Sequence, residues 1–175
     1  MTVEIREAHP DEYAESGRIT ADAYREFVRP EKADGHNADG QNADWQNYLD
    51  HIANVAGRAD RTRILIAVED GAIRGSATLE LDGRVDLDED GPLAPNEAHI
   101  RMLGVAPGSR GRGIARMLMA ECESIALSAG RTVMTLNTTH LMKVAQGMYE
   151  SLGYERGEDR VFPDGFVLMS YAKSL

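Results

Sequence analysis

The stretch VAPGSRGRGIA, Val105 to Ala115, places glycines at 108, 111 and 113 and arginines at 110 and 112. Pro107 closes whatever precedes it, and a helical stripe of Ile114, Leu118, Cys122, Ile125 and Ala129 begins straight after. A strand that runs through a glycine-rich turn into a helix leaves backbone N–H groups converging on one point, with the helix dipole behind them. Glycines let a ligand approach the backbone closely and adopt positive φ where the turn requires it. Arg110 and Arg112 can add positive charge. Two readings compete, a plain surface turn with solvated arginines and a cradle for a phosphate. The familiar nucleotide motifs do not fit. There is no GxxxxGK[ST], and Arg116 stands where the dinucleotide fingerprint needs a third small residue.

Outward from this junction the chain reads as interleaved strands and helices. Thr2 to Glu7 alternates like a strand, and Pro10, Asp11 and Glu12 mark a helix start. Tyr13, Gly17, Thr20, Tyr24 and Phe27 then recur at helical spacing until Arg29-Pro30. Glu31 to Asp44, which holds the short echo NADGQ and NADWQ, reads as a loop. Asp44 caps a second helix with the stripe Trp45, Tyr48, Leu49, Ile52 and Ala56, stopped by Gly57. Ile64 to Val68 is a strand apolar enough to be buried on both faces, and Asp70-Gly71 is a hairpin turn. The returning strand puts Ile73, Gly75, Ala77, Leu79 and Leu81 on one face. Ala98 to Val105 forms the strand before the junction, with Ala98, Ile100 and Met102 on one face and Glu97, His99 and Arg101 on the other. Beyond Gly130 come a strand (Thr132 to Leu136), a short helix ending at Gly153, and two strands around Pro163-Asp164-Gly165. This order predicts one α/β domain over residues 1–175, with helices flanking a mixed, mostly antiparallel central sheet.

Composition narrows the classes. The net charge of −10 argues against nucleic acid or an anionic membrane as partner, since both reward basic surfaces, and it would draw a cationic amine. No apolar run approaches the ~20 residues of a membrane helix. MTVEIREAHP lacks the basic-then-apolar region of a secretory signal, and a lone Cys122 suits a reducing compartment, so a cytoplasmic protein is expected.

A second motif lies downstream: Tyr149-Glu-Ser-Leu-Gly153-Tyr154. With Val105-Ala-Pro107 and Arg110-Gly-Arg-Gly113-Ile-Ala115 it resembles the signature of the Gcn5-related N-acetyltransferase (GNAT) family: V-x-P, then [QR]-x-x-G-x-[GA], then Y-E-x-L-G-[FY]. Two motifs in order favour the cradle. The resemblance implies the acyl-CoA N-acyltransferase fold and acetyl-CoA as co-substrate. It implies that the backbone of Gly111, Arg112, Gly113, Ile114, Ala115 and Arg116, with Arg110 beside it, holds the pyrophosphate. It also implies that Leu103, Gly104 and Val105 pair with the pantetheine arm like an added strand. Gly104 suits that position independently, because a glycine inside a strand often marks a bulge or a close ligand approach. One departure stands out: many members have an asparagine against the cofactor where this chain has Met142.

Acetyl transfer to an amine needs a neutral nucleophile, a stabilised oxyanion and a proton for the departing thiolate. In related enzymes a tyrosine at the position of Tyr149 protonates the coenzyme A sulfur. A phenol with pKa ~10 suits a thiolate of ~8.5–9, because it stays protonated until charge arrives. Glu97 or His99 could take the amine's proton through water, and a backbone N–H near Leu103 to Val105 could hold the oxyanion. The function expected is transfer of an acetyl group to a primary amine of a small molecule or peptide by direct attack in a ternary complex. The alternative is a non-catalytic acyl-CoA-binding module. Family members often dimerise, and a homodimer is compatible with the sequence.

Asp86 to Glu97, DLDEDGPLAPNE, also fits the calcium-loop pattern D-x-D-x-D-G-x5-E. Its flanks are strand-like rather than helical and Pro92 and Pro95 stiffen it, so an acidic hairpin insertion is expected and no metal. His36, His51 and His140 show no metal spacing, and Cys122 reads as a buried small hydrophobe.

Overall fold

The computed structural model describes residues 2–27, 38–86, 91–163 and 165–175, the side chains of 38–44 excepted. The Arg29-Pro30 stop, the first part of the 31–44 loop, Asp88, Asp90 and Asp164 lie outside the described residues.

The chain starts with β1 (Glu4–Glu7) and a short turn of 3-10 helix at Pro10–Glu12, which leads into α1 (Tyr13–Arg25). Glu12 fixes this entry. Its carboxylate accepts the His9 backbone N–H at 2.8 Å and both Arg6 guanidinium donors at 2.7 and 2.8 Å. Helix α2 spans Ala38–Ala53. It therefore begins ahead of Asp44, within the stretch read as a loop. Gly and Asn are weak formers, yet once the second half is anchored each further residue adds a hydrogen bond, so the helix propagates upstream. At its other end it stops at Ala53, so the inward-facing residue is Val55 and Ala56 is exposed.

β2 (Arg63–Glu69) and β3 (Ala72–Glu80) form the expected hairpin, with Asp70 and Gly71 both at positive φ, 52° and 75°, as a tight primed turn requires. β4 (Glu97–Val105) follows, then α3 (Ile114–Ser128), β5 (Val133–Thr138) and α4 (Lys143–Ser151). The chain ends in β6 (Glu155–Arg156), β7 (Arg160–Val161) and β8 (Val167–Ser174), one strand more than the two expected there. The sheet runs β1-β2-β3-β4-β5-β8-β6, with β7 also paired to β8. β4 and β5 are parallel, and the other pairings are antiparallel.

Two bulges rearrange the faces. Between the pairs Ala67–Gly75 and Val68–Ile73, β3 carries an extra residue, so Ile73 leaves the face of Ala77 and Leu79 and packs with Ile19 and Ile66. Between Ser76–Gly104 and Thr78–Arg101, the extra residue lies in β4, where Met102 takes a φ of 51°. Met102 therefore joins Ala21, Leu49, Ile52 and Val85, while Ala98 and Ile100 face α3 with Leu118 and Met134. The face expected to hold all three residues is broken here.

Both sides of the sheet are covered. On one, α3 buries Ile114, Leu118, Met119, Cys122 and Ala126, and the helix ends before the exposed Ala129. On the other, α1 packs on β3 and β4 with α2 against it, and the buried strand residues there include polar ones, Ser76, Thr78 and Glu80, beside Ile66, Ile73 and Met102. Ser16 of α1 and Ser76 satisfy one another at 2.8 Å. Arg58 sends its guanidinium to Thr78 Oγ1 and to the carbonyls of His51, Ile52 and Asn54, capping the C-terminal end of α2. Burial first, and then Arg101, pulls the Arg58 pKa down to about 10.

Candidate active site

Four residue pairs, from Glu97–Val133 to Ile100–Leu136, join β4 to β5. Beyond them β4 continues to Val105 against β3 alone, and β5 continues to Thr138 against β8 alone. The two parallel strands thus part toward their carboxyl ends, and Leu103, Gly104 and Val105 line the opening without a β5 partner. Crevices at the carboxyl ends of diverging parallel strands are where α/β sheets admit ligands.

Gly104 has a second duty. A Cβ there would sit 3.1 Å from Thr20 Cα and 3.2 Å from Ala23 Cβ, so its lack of a side chain lets α1 cross β4 closely. The close approach at Gly104 is made by a helix, where the sequence reading expects a ligand. The bulge stands two residues earlier, at Met102.

The glycine-rich turn closes the same end of the opening. Pro107–Ser109 is a turn of 3-10 helix, and Gly111 and Gly113 adopt φ of 75° and 80°, conformations that side chains resist. Gly113 caps α3, and the first helical bond runs from Met117 N–H to Gly113 C=O at 3.0 Å. The N–H groups ahead of it have no helical acceptor. A Cβ on Gly108, Gly111 or Gly113 would meet nothing within 4 Å, so space lies open in front of the turn.

The arginines brace this turn. Arg110 bonds Glu26, the Ala23 carbonyl at 3.2 Å and the Val105 carbonyl at 3.5 Å, which ties the turn to the end of α1. Arg112 holds both carboxylate oxygens of Glu69 at the end of β2, one of them at 2.8 Å. This fork keeps the Glu69 carboxyl below the usual range. Arg116 donates to Ser151 Oγ on α4 at 2.6 Å. What faces the open space is the backbone dipole.

Tyr149 lies on α4 and is 7 % exposed. Its ring is 6.1 Å from Tyr154 and 5.8 Å from Tyr171. Those two hydroxyls donate to Glu123 (2.8 Å) and Glu150 (3.0 Å). The Tyr149 hydroxyl makes no hydrogen bond among the described residues. Burial, with a smaller push from Tyr171, raises its pKa well above that of a free phenol. Tyr149 keeps its phenolic proton at any ordinary pH.

Glu97 and His99 sit where β4 and β5 are still paired. One Glu97 oxygen accepts the Ala94 N–H at 3.0 Å and the other accepts the Thr135 hydroxyl at 2.6 Å. His99, 4 % exposed, places Nδ1 2.7 Å from the same hydroxyl. Burial, followed by the fields of Arg84 and Arg101, pulls the His99 pKa down to about 3, so its ring is neutral. Both residues line an open concavity of about 300 Å³ with Arg84, Thr135, Asn137 and Ser170. Thr135 escaped the sequence reading. Its only signal was a polar side chain alternating with Met134 and Leu136, and nothing local reports which strand it faces.

Two further residues were missed at the end of β5. The hydroxyls of Thr138 and Thr139 are buried and have no hydrogen-bond partner among the described residues, just ahead of Met142. In the segment with the calcium-loop pattern, Asp86 is 3.2 Å from His51 Nε2 and 3.4 Å from Arg101, while Glu97 is engaged as above. No cluster of metal-ligating side chains occurs among the described residues, and no helix there is long and apolar enough to cross a membrane. Cys122 is buried, and burial raises its thiol pKa.

Several solved structures share this architecture end to end. A Gcn5-related N-acetyltransferase of Rhodopseudomonas palustris is 23 % identical with a TM-score of 0.69, covering 100 % of this chain and 97 % of its own. The yncA protein of Salmonella typhimurium, solved with its cofactor acetyl-CoA, is 20 % identical with a TM-score of 0.66 over 100 % and 95 % of the two chains. The paia N-acetyltransferase of Thermoplasma acidophilum, solved with coenzyme A, is 16 % identical with a TM-score of 0.66 over the full length of both. At such identities the likeness is one of fold. The family model for GNAT acetyltransferases matches residues 20–154, more than half of the sequence and including both the turn and Tyr149. This chain belongs to the GNAT acetyltransferase family.

Proposed function

We propose that this chain is an N-acetyltransferase that moves the acetyl group of acetyl-CoA to a primary amine by direct attack in a ternary complex. The observation that carries this reading is the turn at the parting of the strands, with Tyr149 as its support. The turn of free N–H groups ahead of α3 lies at the end where β4 and β5 part, and Tyr149 is a buried phenol whose hydroxyl is unengaged.

The donors suit acetyl-CoA. The backbone of Gly111 to Arg116 offers N–H groups and a helix dipole to a pyrophosphate. Leu103, Gly104 and Val105 offer an unpaired strand edge to the amides of the pantetheine arm. The unpartnered hydroxyls of Thr138 and Thr139 supply polar contacts near the place where Met142 replaces the usual asparagine. Arg110 and Arg112 serve as braces, through Glu26 and Glu69. The acetyl thioester supplies the electrophile. The residues then bind, orient and move protons: a backbone N–H near Leu103 to Val105 meets the oxyanion, Glu97 or His99 receives the amine's proton through water, and Tyr149 donates to the sulfur. The acceptor reaches the carbonyl from the side of the sheet that carries α1, α2 and the His99 concavity.

Calorimetry with acetyl-CoA and a thiol-release assay with a panel of amines test this. Micromolar binding and turnover are expected, and Tyr149→Phe should lower kcat by about 10²-fold, the low end for general acid catalysis, with binding nearly unchanged. Binding without turnover on any amine would point to a binding module. A Tyr149→Phe enzyme of full activity would remove the proton from that residue.

A further inference from the structure

The one hydroxyl hydrogen of Thr135 decides how His99 is protonated. Thr135 Oγ1 lies 2.6 Å from Glu97 Oε1 and 2.7 Å from His99 Nδ1. An ionised carboxylate only accepts, and Glu97's other oxygen already receives the Ala94 N–H at 3.0 Å. At 2.6 Å the Thr135 hydrogen must therefore lie toward Glu97, because two oxygen lone pairs would otherwise face one another. The Ala98 carbonyl at 3.4 Å is a poorer acceptor for it. With its hydrogen so directed, Thr135 Oγ1 presents a lone pair to His99, and Nδ1 must carry a proton to fill the 2.7 Å contact. In a neutral imidazole that leaves the lone pair on Nε2. His99 Nε2 has no hydrogen-bond partner among the described residues, and the ring lines the concavity beside the opening of β4 and β5.

We infer that Thr135 is a positioning residue that couples Glu97 to His99, holding the imidazole as the Nδ1–H tautomer with Nε2 facing the acceptor side. Glu97 then acts through Thr135 and does not meet the amine. His99 Nε2 accepts a hydrogen bond from the amine or its water and orients it, and the amine's proton leaves through water. This rests on the acetyltransferase reading for its consequence, but the hydrogen-bond assignment stands on geometry alone.

The test is a two-bond proton–nitrogen correlation spectrum of the ligand-free protein labelled with 15N-histidine, at neutral pH, with the His99 signals assigned by a His99→Asn variant. The wild type should show the Nδ1–H tautomer. Thr135→Ser should retain it. Thr135→Val should lose it and shift the proton toward Nε2, with kcat about 10²-fold lower, KM for acetyl-CoA unchanged, and most of the rate restored by serine. An Nε2–H tautomer in the wild type overturns the assignment. So does a Thr135→Val protein whose spectrum is unaltered. Full turnover in a Thr135→Val protein whose tautomer has shifted overturns the positioning role. If the wild type turns over no amine, the acetyltransferase reading fails by itself, while the spectra still decide the hydrogen bonds. Should the valine variant fail to fold, the wild-type and serine spectra decide alone.

Discussion

Glu12 shows how one carboxylate can serve two elements. It caps the start of α1 through the His9 N–H and pins β1 through Arg6, and these bonds, Arg6 first, hold its carboxyl at about 2 rather than 4.5. A depressed carboxyl contributes stability above its unfolded value and loses it as pH falls through its folded one. Glu12→Gln should therefore melt lower than the wild type at neutral pH, and the gap should close between pH 4.5 and 2. Melting temperatures of both proteins across that range check it. At this scale the sequence was informative where chemistry is carried by residue type. Tyr149, Glu97 and His99 stand out in the sequence as candidates, whereas Thr135 and Thr138 do not. A threonine on a strand is ordinary, and only the parallel register, Thr135 opposite His99, makes it a bridge.

Helices and strands were legible wherever period and punctuation agreed, as in the Asp70-Gly71 hairpin and α3. The bulges were not. Nothing in IRMLGV announces that Met102 will take positive φ, because the extra residue is imposed by pairing with β3 rather than by local preference. The start of α2 differs for a related reason, since a helix docked on its neighbour extends through weak formers. Its docking depends on Gly17, where a Cβ would lie 2.0 Å from the Ala53 carbonyl oxygen. That contact is with backbone and cannot be relieved by a rotamer. Gly17→Ala should cost about 1–3 kcal/mol, as overpacking does, by prising α1 from α2. Denaturant unfolding measures the loss, and binding of acetyl-CoA should suffer less than acceptor turnover, because the glycine-rich turn lies elsewhere.

For the molecule as a whole, the class of fold followed from element order, and the family from two motifs far apart in the chain. The parting of β4 from β5 had no sequence signature, since it lies in strand lengths and directions and not in any residue. Acetyl-CoA in excess should raise the melting temperature, as any ligand of the native state does. The gain should appear in hydrogen exchange first at residues 103–116. The four-pair junction between β4 and β5 has a mechanical meaning as well. It is a seam: β1 to β4 hang from one side of it and β5 to β8 from the other. A cofactor lodged in the gap, as proposed, would bond to both halves and act as a stitch. Cohesion across the seam and affinity for the cofactor are then one free energy seen from two sides, so a loosened seam weakens the grip, and an empty gap leaves the two halves of the sheet freest to move apart.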